Sequence, residues 1–331
     1  MLGGFENNNR EVLVVKYPKR SSKLEDVNNV LRAILVSSAA NLEPGSDLVQ
    51  GDFKKIAFTK SPVKEKYIQT IHALLNHIQK GDIYEINYCV EFVAENVILD
   101  PLYAFQELKK LSDAPYNFLC KHNATYILCV SPERFLKRQG TKLITQPMKG
   151  TAKRSDSVRE DEQLKNGLLN SEKDKTENVM AVDVARNDLS RVAEKGTVVT
   201  SELFTVNSFK SVHQMISTVS CSIHADLSIE EVIKATFPPA SMTGAPKIKA
   251  MELINKYEDF DREYYSGVVG IKEANGDFDL AVIIRSIFYD EEKKRLSFAV
   301  GSAITAQSNP EEEWEECLLK ARSILTLLNA T

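Results

Sequence analysis

The feature that most limits what this chain can fold into lies near its C-terminus. Three strand-like runs, 265–273, 277–289 and 295–306, follow one another with no helix between them. The first two meet at Asn275-Gly276, a dipeptide that favours the left-handed backbone of a tight hairpin turn. Strands so close in sequence pair antiparallel, because a parallel pair needs a long crossover connection. A helix then begins after Pro310 and runs through Leu328. The same grammar recurs upstream. Strand patterns are read at 12–15, 83–92, 117–120, 125–130, 197–206 and 211–223, and a hairpin turns at Gln139-Gly140 between Phe135-Leu136 and Leu143-Ile144. Helical spacing is read at 26–36, 102–111, 156–169, 171–192, 228–235 and 246–257. It is clearest from Lys64, where Tyr67, Ile68, Ile71, Leu74, Leu75 and Ile78 share one face and Gly81 ends the run. Antiparallel runs interrupted by helices, without strict alternation, predict an α+β fold. No repeat, low-complexity stretch or linker divides the chain, so residues 1–331 are read as one domain.

Composition serves mainly to exclude. A net charge of −4 offers no basic footprint for nucleic acid. The apolar runs are too short to span a bilayer. The first residues show no basic start followed by an apolar core and a cleavage site, so no secretory signal is read. Five scattered cysteines, none in a C-x-x-C pair, argue against a disulfide frame or structural zinc and fit a reducing cytoplasm.

Several residues could carry chemistry. Lys149 stands beside Gly150, sixteen positions after Glu133, and the intervening hairpin could return one to the other. In a cleft such a pair would be a nucleophile and an acid/base; on a surface it would be an ordinary ion pair. Asp174 and Glu177 share a face of one helix, and Glu313, Glu316 and Lys320 share a stripe of another. Two acidic pairs on separate helices suit an oxygen-liganded Mg²⁺, although acidic residues near a helix N-terminus also commonly lie in solvent. Ser241, Thr243 and Gly244 precede a helix at Pro246, where free backbone N–H groups favour an anion or a simple cap. Arg285, read inside the apolar strand 280–287, wants a fixed partner such as a substrate carboxylate. His213 is open between a satisfied core histidine and a ligand contact.

Taken in order, the segments GDIYEIN, SPERF, PMKGTAKR, DKTENVMAVDVARNDLSRV, FPPASMTGAPKIKAM, YYSGVVGI, IIRS and GSAITAQSNPEEEWEECLLKAR closely resemble the chorismate-utilising enzymes over 64–328. The resemblance implies largely antiparallel sheets forming a sandwich with helices packed outside, preceded by a shortened N-terminal portion at 1–60. It implies Glu177 and Glu316 as direct Mg²⁺ ligands, with Asp174 and Glu313 holding the ion through water or secondary contacts. Tyr265 and Arg285 match the grip on a chorismate carboxylate, aided by backbone amides around Gly301 and by Lys320. Ser241, Thr243 and Gly244 fall in the substrate loop, and His213 matches the histidine near the departing ring hydroxyl. Glu133 matches the acid/base of SPERF. Lys149 stands where members that aminate C4 carry lysine and anthranilate-forming members carry alanine. Glu85 stands where C2-hydrating members have lysine and the others usually glutamine. The implied function is Mg²⁺-dependent amination of chorismate at C4, on the way to p-aminobenzoate and folate, with Lys149 as a nucleophile whose pKa its surroundings should lower. No cysteine sits in a Gly-flanked elbow, so ammonia would come from a separate glutamine amidotransferase subunit, component II. The short N-terminus implies no feedback inhibition by tryptophan. Anthranilate formation and non-catalytic chorismate binding are the alternatives.

Overall fold

The computed structural model describes residues 10–18, 34–36, 56–112, 114–209 and 212–329. Its elements are β1 (Glu11–Val15), β2 (Ile34–Val36), α1 (Lys64–Gln79), β3 (Glu85–Ala94), α2 (Pro101–Ser112), β4 (Tyr116–His122), β5 (Thr125–Ser131), β6 (Arg134–Gln139), β7 (Lys142–Thr145), β8 (Met148–Lys153), α3 (Val158–Asn170), α4 (Glu172–Ser190), β9 (Val199–Ser208), β10 (Val212–Ser222), α5 (Ile229–Thr236), β11 (Gly244–Ala245), α6 (Lys247–Tyr257), β12 (Val268–Lys272), β13 (Phe278–Val282), β14 (Ser286–Asp290), β15 (Arg295–Thr305) and α7 (Pro310–Leu327). Of the helix expected at 26–36, only 34–36 falls among the described residues, and it is a strand paired with β1.

The strands form two antiparallel sheets. The larger runs β2-β1-β12-β13-β6-β7-β10-β8, with β9 also on β10; the smaller runs β11-β3-β15-β14-β5-β4. One apolar cluster joins Leu136, Leu280, Val219 and Val268 of the larger sheet to Cys89 and Ala299 of the smaller and to Val182, Ala185 and Leu189 of α4. A second packs Ile86, Phe298 and Val300 of the smaller sheet against Ile71 and Leu74 of α1, Leu108 of α2 and Cys317, Ala321 and Ile324 of α7. This is the predicted α+β sandwich with helices outside. The five cysteines are free and buried, and no helix among the described residues is long and apolar enough to cross a membrane.

One expected strand divides. The run 277–289 is two strands, β13 in the larger sheet and β14 in the smaller, and Arg285 stands at the break with a left-handed φ of 53° rather than inside a strand. Apolar periodicity ran unbroken because both halves are buried, so only backbone geometry separates them. A second crossing lies alongside: β5 belongs to the smaller sheet and β6 to the larger, with Glu133 between. The two crossings are tied by Val282 N–H donating to the Glu133 carbonyl at 3.0 Å. Glu133 and Arg285 therefore share the seam between the sheets.

The loop after α5 closes this seam. Its end, Gly244-Ala245, pairs with Ile86 and Glu85 of β3. Gly244 has φ +145°, and a Cβ there would meet the Glu85 carbonyl oxygen at 2.1 Å. Backbone approach this close admits only glycine. Gly244→Ala should therefore unseat β11 and cost about 2 kcal/mol or more, as overpacking against backbone does. A thermal-unfolding midpoint unchanged from wild type would show that β3 can give way.

Candidate active site

The seam gathers most of the predicted residues. Lys149, the second residue of β8, reaches across to the smaller sheet, and its Nζ lies 2.6 Å from Glu85 Oε1 on β3. Both side chains are buried, at 9% and 4% exposure, which excludes the reading of a solvated surface pair. Lys149 also feels Glu177 and Glu133. Burial disfavours its ammonium, but these carboxylates more than offset that and hold its pKa above the ordinary value. The expected lowering is thus corrected: the resting lysine is charged, because three acids surround it. Gly150 brings β8 against α4, since a Cβ there would meet Asp174 Cβ at 2.9 Å.

Glu133 is buried and accepts a hydrogen bond from Ser241 Oγ at 2.5 Å. Burial pushes its carboxyl up to about 7, against the opposing pull of Ser241, Lys149 and Lys320. A carboxyl in that range can give and take a proton near neutral pH. Thr243 does not join it; its hydroxyl is used inside the loop, on the Pro239 and Ala240 carbonyls.

On the C-terminal helix, Asn309 caps the first turn, Glu311 and Glu312 are exposed, and Glu313 turns inward at 2% exposure. Glu313 accepts from Ser308 Oγ at 2.8 Å and faces Lys173 Nζ at 3.6 Å. Lys320 Nζ pairs with Glu316 at 2.5 Å and donates to the Gly301 carbonyl at 2.9 Å. Arg285 Nη1 donates to the Lys320 carbonyl at 3.1 Å, which fastens the seam to α7. Tyr265 is buried beside Cys89, whose Sγ lies 3.9 Å from its hydroxyl. It stands in a turn before β12, where the expected strand 265–273 has not yet begun.

Among the described residues, no three His, Cys, Asp or Glu side chains stand ready to hold a metal. The donors nonetheless fit a hard cation. Glu177, Glu313 and Glu316 bring only oxygen, and burial, followed by the charges of Glu85 and Glu313, raises the Glu177 carboxyl to about 7 against Lys149 and Lys173. The ammonium groups of Lys173 and Lys320 stand against Glu313 and Glu316.

His213 is not brought to Lys149 or Glu133. It lies on β10 opposite Ala152, its Nε2 3.0 Å from Asp161 Oδ1 and its Nδ1 2.9 Å from Ser208 Oγ. Asp161, held far below the usual carboxylate range chiefly by Arg154, keeps its charge and accepts from the ring.

Three contributors escaped the sequence reading. Lys173 could have been found from its i,i+4 relation to Glu177. The family resemblance sets Glu85 against lysine or glutamine at that position, but nothing in the sequence pairs it with Lys149. Arg262 gave no local signal. It is buried, pairs with Glu258 at 2.5 Å and donates to the Met242 and Asn87 carbonyls, so it ties the Ser241 loop and β3 to the turn that carries Tyr265.

A two-sheet sandwich thus brings a buried lysine, a near-neutral carboxyl and acidic helices to one seam. The family model described as "chorismate binding enzyme" matches residues 4–326, and the chain belongs to that family. It is 38% identical over 308 residues to the chloroplastic aminodeoxychorismate synthase of Arabidopsis thaliana, covering 92% of this chain and 33% of that protein. It is 34% identical to aminodeoxychorismate synthase component 1 of Escherichia coli, over 80% of this chain and 58% of the relative. The chain thus spans about a third of the first relative and somewhat over half of the second. Among solved structures, anthranilate synthase component I from Streptococcus pneumoniae superposes with a TM-score of 0.74 at 27% identity, over 84% of this chain and 60% of that one.

The raised carboxyl of Glu133 has a measurable consequence. With its ordinary value at 4.5 and its folded value at about 7, the folded state binds more protons between those pH values. Stability should therefore fall as pH rises through that window and stay lower above it. Glu133→Gln should remove this fall and raise the unfolding free energy at pH 8, by up to about 3 kcal/mol, with little change at pH 4. Equal changes at both pH values would show that Glu133 is ionised at no cost.

Proposed function

We propose that this chain aminates chorismate at C4 to give 4-amino-4-deoxychorismate, using ammonia from a glutamine amidotransferase subunit. The observation that carries the reading is the buried Lys149 between Glu85, Glu177 and Glu133, at the position where the C4-aminating members of the family have lysine. Similarity to proteins named aminodeoxychorismate synthase supports it.

In this reading Tyr265, Arg285 and the backbone around Gly301 fix the substrate carboxylate, with Lys320 beside them. Glu177 and Glu316, helped by Asp174 and Glu313, hold Mg²⁺. The ion would neutralise carboxylate charge and orient the ring. Lys149 first passes its proton to Glu85, already in hydrogen-bond contact. The free amine attacks C2, the ring double bond shifts, and the C4–O bond breaks as Glu133 gives its proton to the departing hydroxyl. Ammonia then adds at C4 and the electrons return through the ring, expelling the Lys149 amine. Glu133 takes a proton from the new C4 ammonium, and Lys149 recovers its own from Glu85. The sum is chorismate plus ammonia to aminodeoxychorismate plus water. His213, tied to Asp161 and Ser208, is given no proton-transfer step in this scheme.

The test is product analysis of the purified chain with chorismate, Mg²⁺ and ammonium. A C4-aminated product that keeps its enolpyruvyl group, and is lost with EDTA, is expected. Anthranilate with pyruvate would establish instead the activity named for the Streptococcus pneumoniae relative. Lys149→Ala should lower kcat by at least about 10³-fold, the scale of losing a nucleophile. Wild-type turnover and product in that variant would rule out covalent attack by Lys149.

A further inference from the structure

The described residues contain a small cavity that the mechanism above does not use. Glu133, Ser241, Asp188 and Thr236 line it, together with Ala185 and Leu189 of α4. It has room for about one water-sized molecule. Lys149, Glu85, Tyr265, Arg285 and the acids Asp174, Glu177, Glu313 and Glu316 do not line it. The cavity and the substrate-gripping groups therefore meet at Glu133.

Its polar wall is largely spoken for. Asp188 pairs with Lys247 at 2.6 Å. The Thr236 hydroxyl donates to the Val232 carbonyl and the Thr145 hydroxyl to the Phe135 carbonyl. Phe135, Leu136, Ala185 and Leu189 make much of the rest apolar. A space this small excludes a cyclohexadiene dicarboxylate. The charges of Asp188 and Arg134 on its wall are already matched by Lys247 and Asp279, so neither is left over to hold an ion. What fits is a neutral hydrogen-bonding molecule about the size of water.

Resting on the reading of the previous subsection, we propose that this cavity is the ammonia site, from which neutral ammonia reaches C4 past Glu133. The location suits the chemistry. Glu133 gives up its proton as the C4 hydroxyl leaves, and its carboxylate then faces an incoming amine that must lose a proton after the N–C4 bond forms. The position of the cavity gives the entering nucleophile and the departing oxygen a common acid/base. The apolar lining keeps ammonia unprotonated until it reacts, and Ala185 sets the space available.

The experiment measures steady-state KM for ammonia and for chorismate in the purified chain, after wild-type product analysis has established C4 amination. Ala185→Leu should fill the cavity and raise the ammonia KM about tenfold, equivalent to about 1.4 kcal/mol, with the chorismate KM within about twofold of wild type. Ala185→Gly enlarges the space and guards against a folding defect in the bulkier variant. It should improve the use of methylamine relative to ammonia by about tenfold. An ammonia KM unchanged in Ala185→Leu, or raised no more than the chorismate KM, overturns the site, as does an unchanged methylamine preference in Ala185→Gly. Absence of C4-aminated product from the wild type would instead sink the reaction, and the inference with it.

Discussion

The buried pair of Lys149 and Glu85 is the contact on which the rest of the site depends. It joins β8, at the far edge of the larger sheet, to β3 of the smaller one, and so closes the sandwich over the seam that holds Glu133 and Arg285. Such a pair is weak support for stability as a whole, because desolvating both charges offsets much of their attraction. Removing one partner is a different matter, since the other is left charged and unmatched inside the protein. The pair thus fixes register between the sheets more than it adds free energy. It also places the lysine where it meets Glu177 from α4 and Glu133 from the crossing between β5 and β6.

Around that contact, secondary structure was legible and the seam was not. Helix faces, caps and hairpins follow from local rules: Ser171 caps α4 through the Asp174 N–H, Asn309 caps α7, and the Gln139-Gly140 turn joins β6 to β7. The break at Arg285 has no local signal, because residues on both sides are buried and the sequence pattern does not register a change of sheet. The same blindness explains Glu85. A carboxylate in a buried strand looks like an anomaly until the lysine of a distant strand arrives beside it. Spacing placed Glu313 on one stripe with Glu316 and Lys320, but it could not say whether that stripe faces solvent; the structure buries Glu313 and leaves Glu311 and Glu312 exposed.

The loop from Phe237 to Pro246 shows how few residues hold such a site. Lys247 is buried against Asp188 and donates to the Thr236 and Pro238 carbonyls, fastening the loop to α4. Arg262 grips the other end through the Met242 carbonyl, and Gly244 docks on β3 without a side chain. Between these anchors Ser241 is delivered to Glu133. Two buried cations thus satisfy carbonyls that a helix or sheet would otherwise have used, which is how an irregular segment can lie inside the protein.

The site also sets opposing demands on its two central groups. In the proposed reaction Glu133 must carry a proton to release a hydroxyl, and burial raises its pKa toward neutrality. Lys149 must lose a proton to attack, yet its neighbours hold the proton on. The two demands meet only if the lysine proton moves within the site rather than to water, and Glu85, at 2.6 Å, is the acceptor in contact. Glutamine at that position keeps a hydrogen bond but takes no proton, so a chain with glutamine there would rely on weaker stabilisation of the ammonium to free its amine. In the proposed mechanism the glutamate here replaces that passive route with a direct transfer. On that mechanism the carboxylate that is a structural counter-charge in the resting state becomes a proton store in the reacting one.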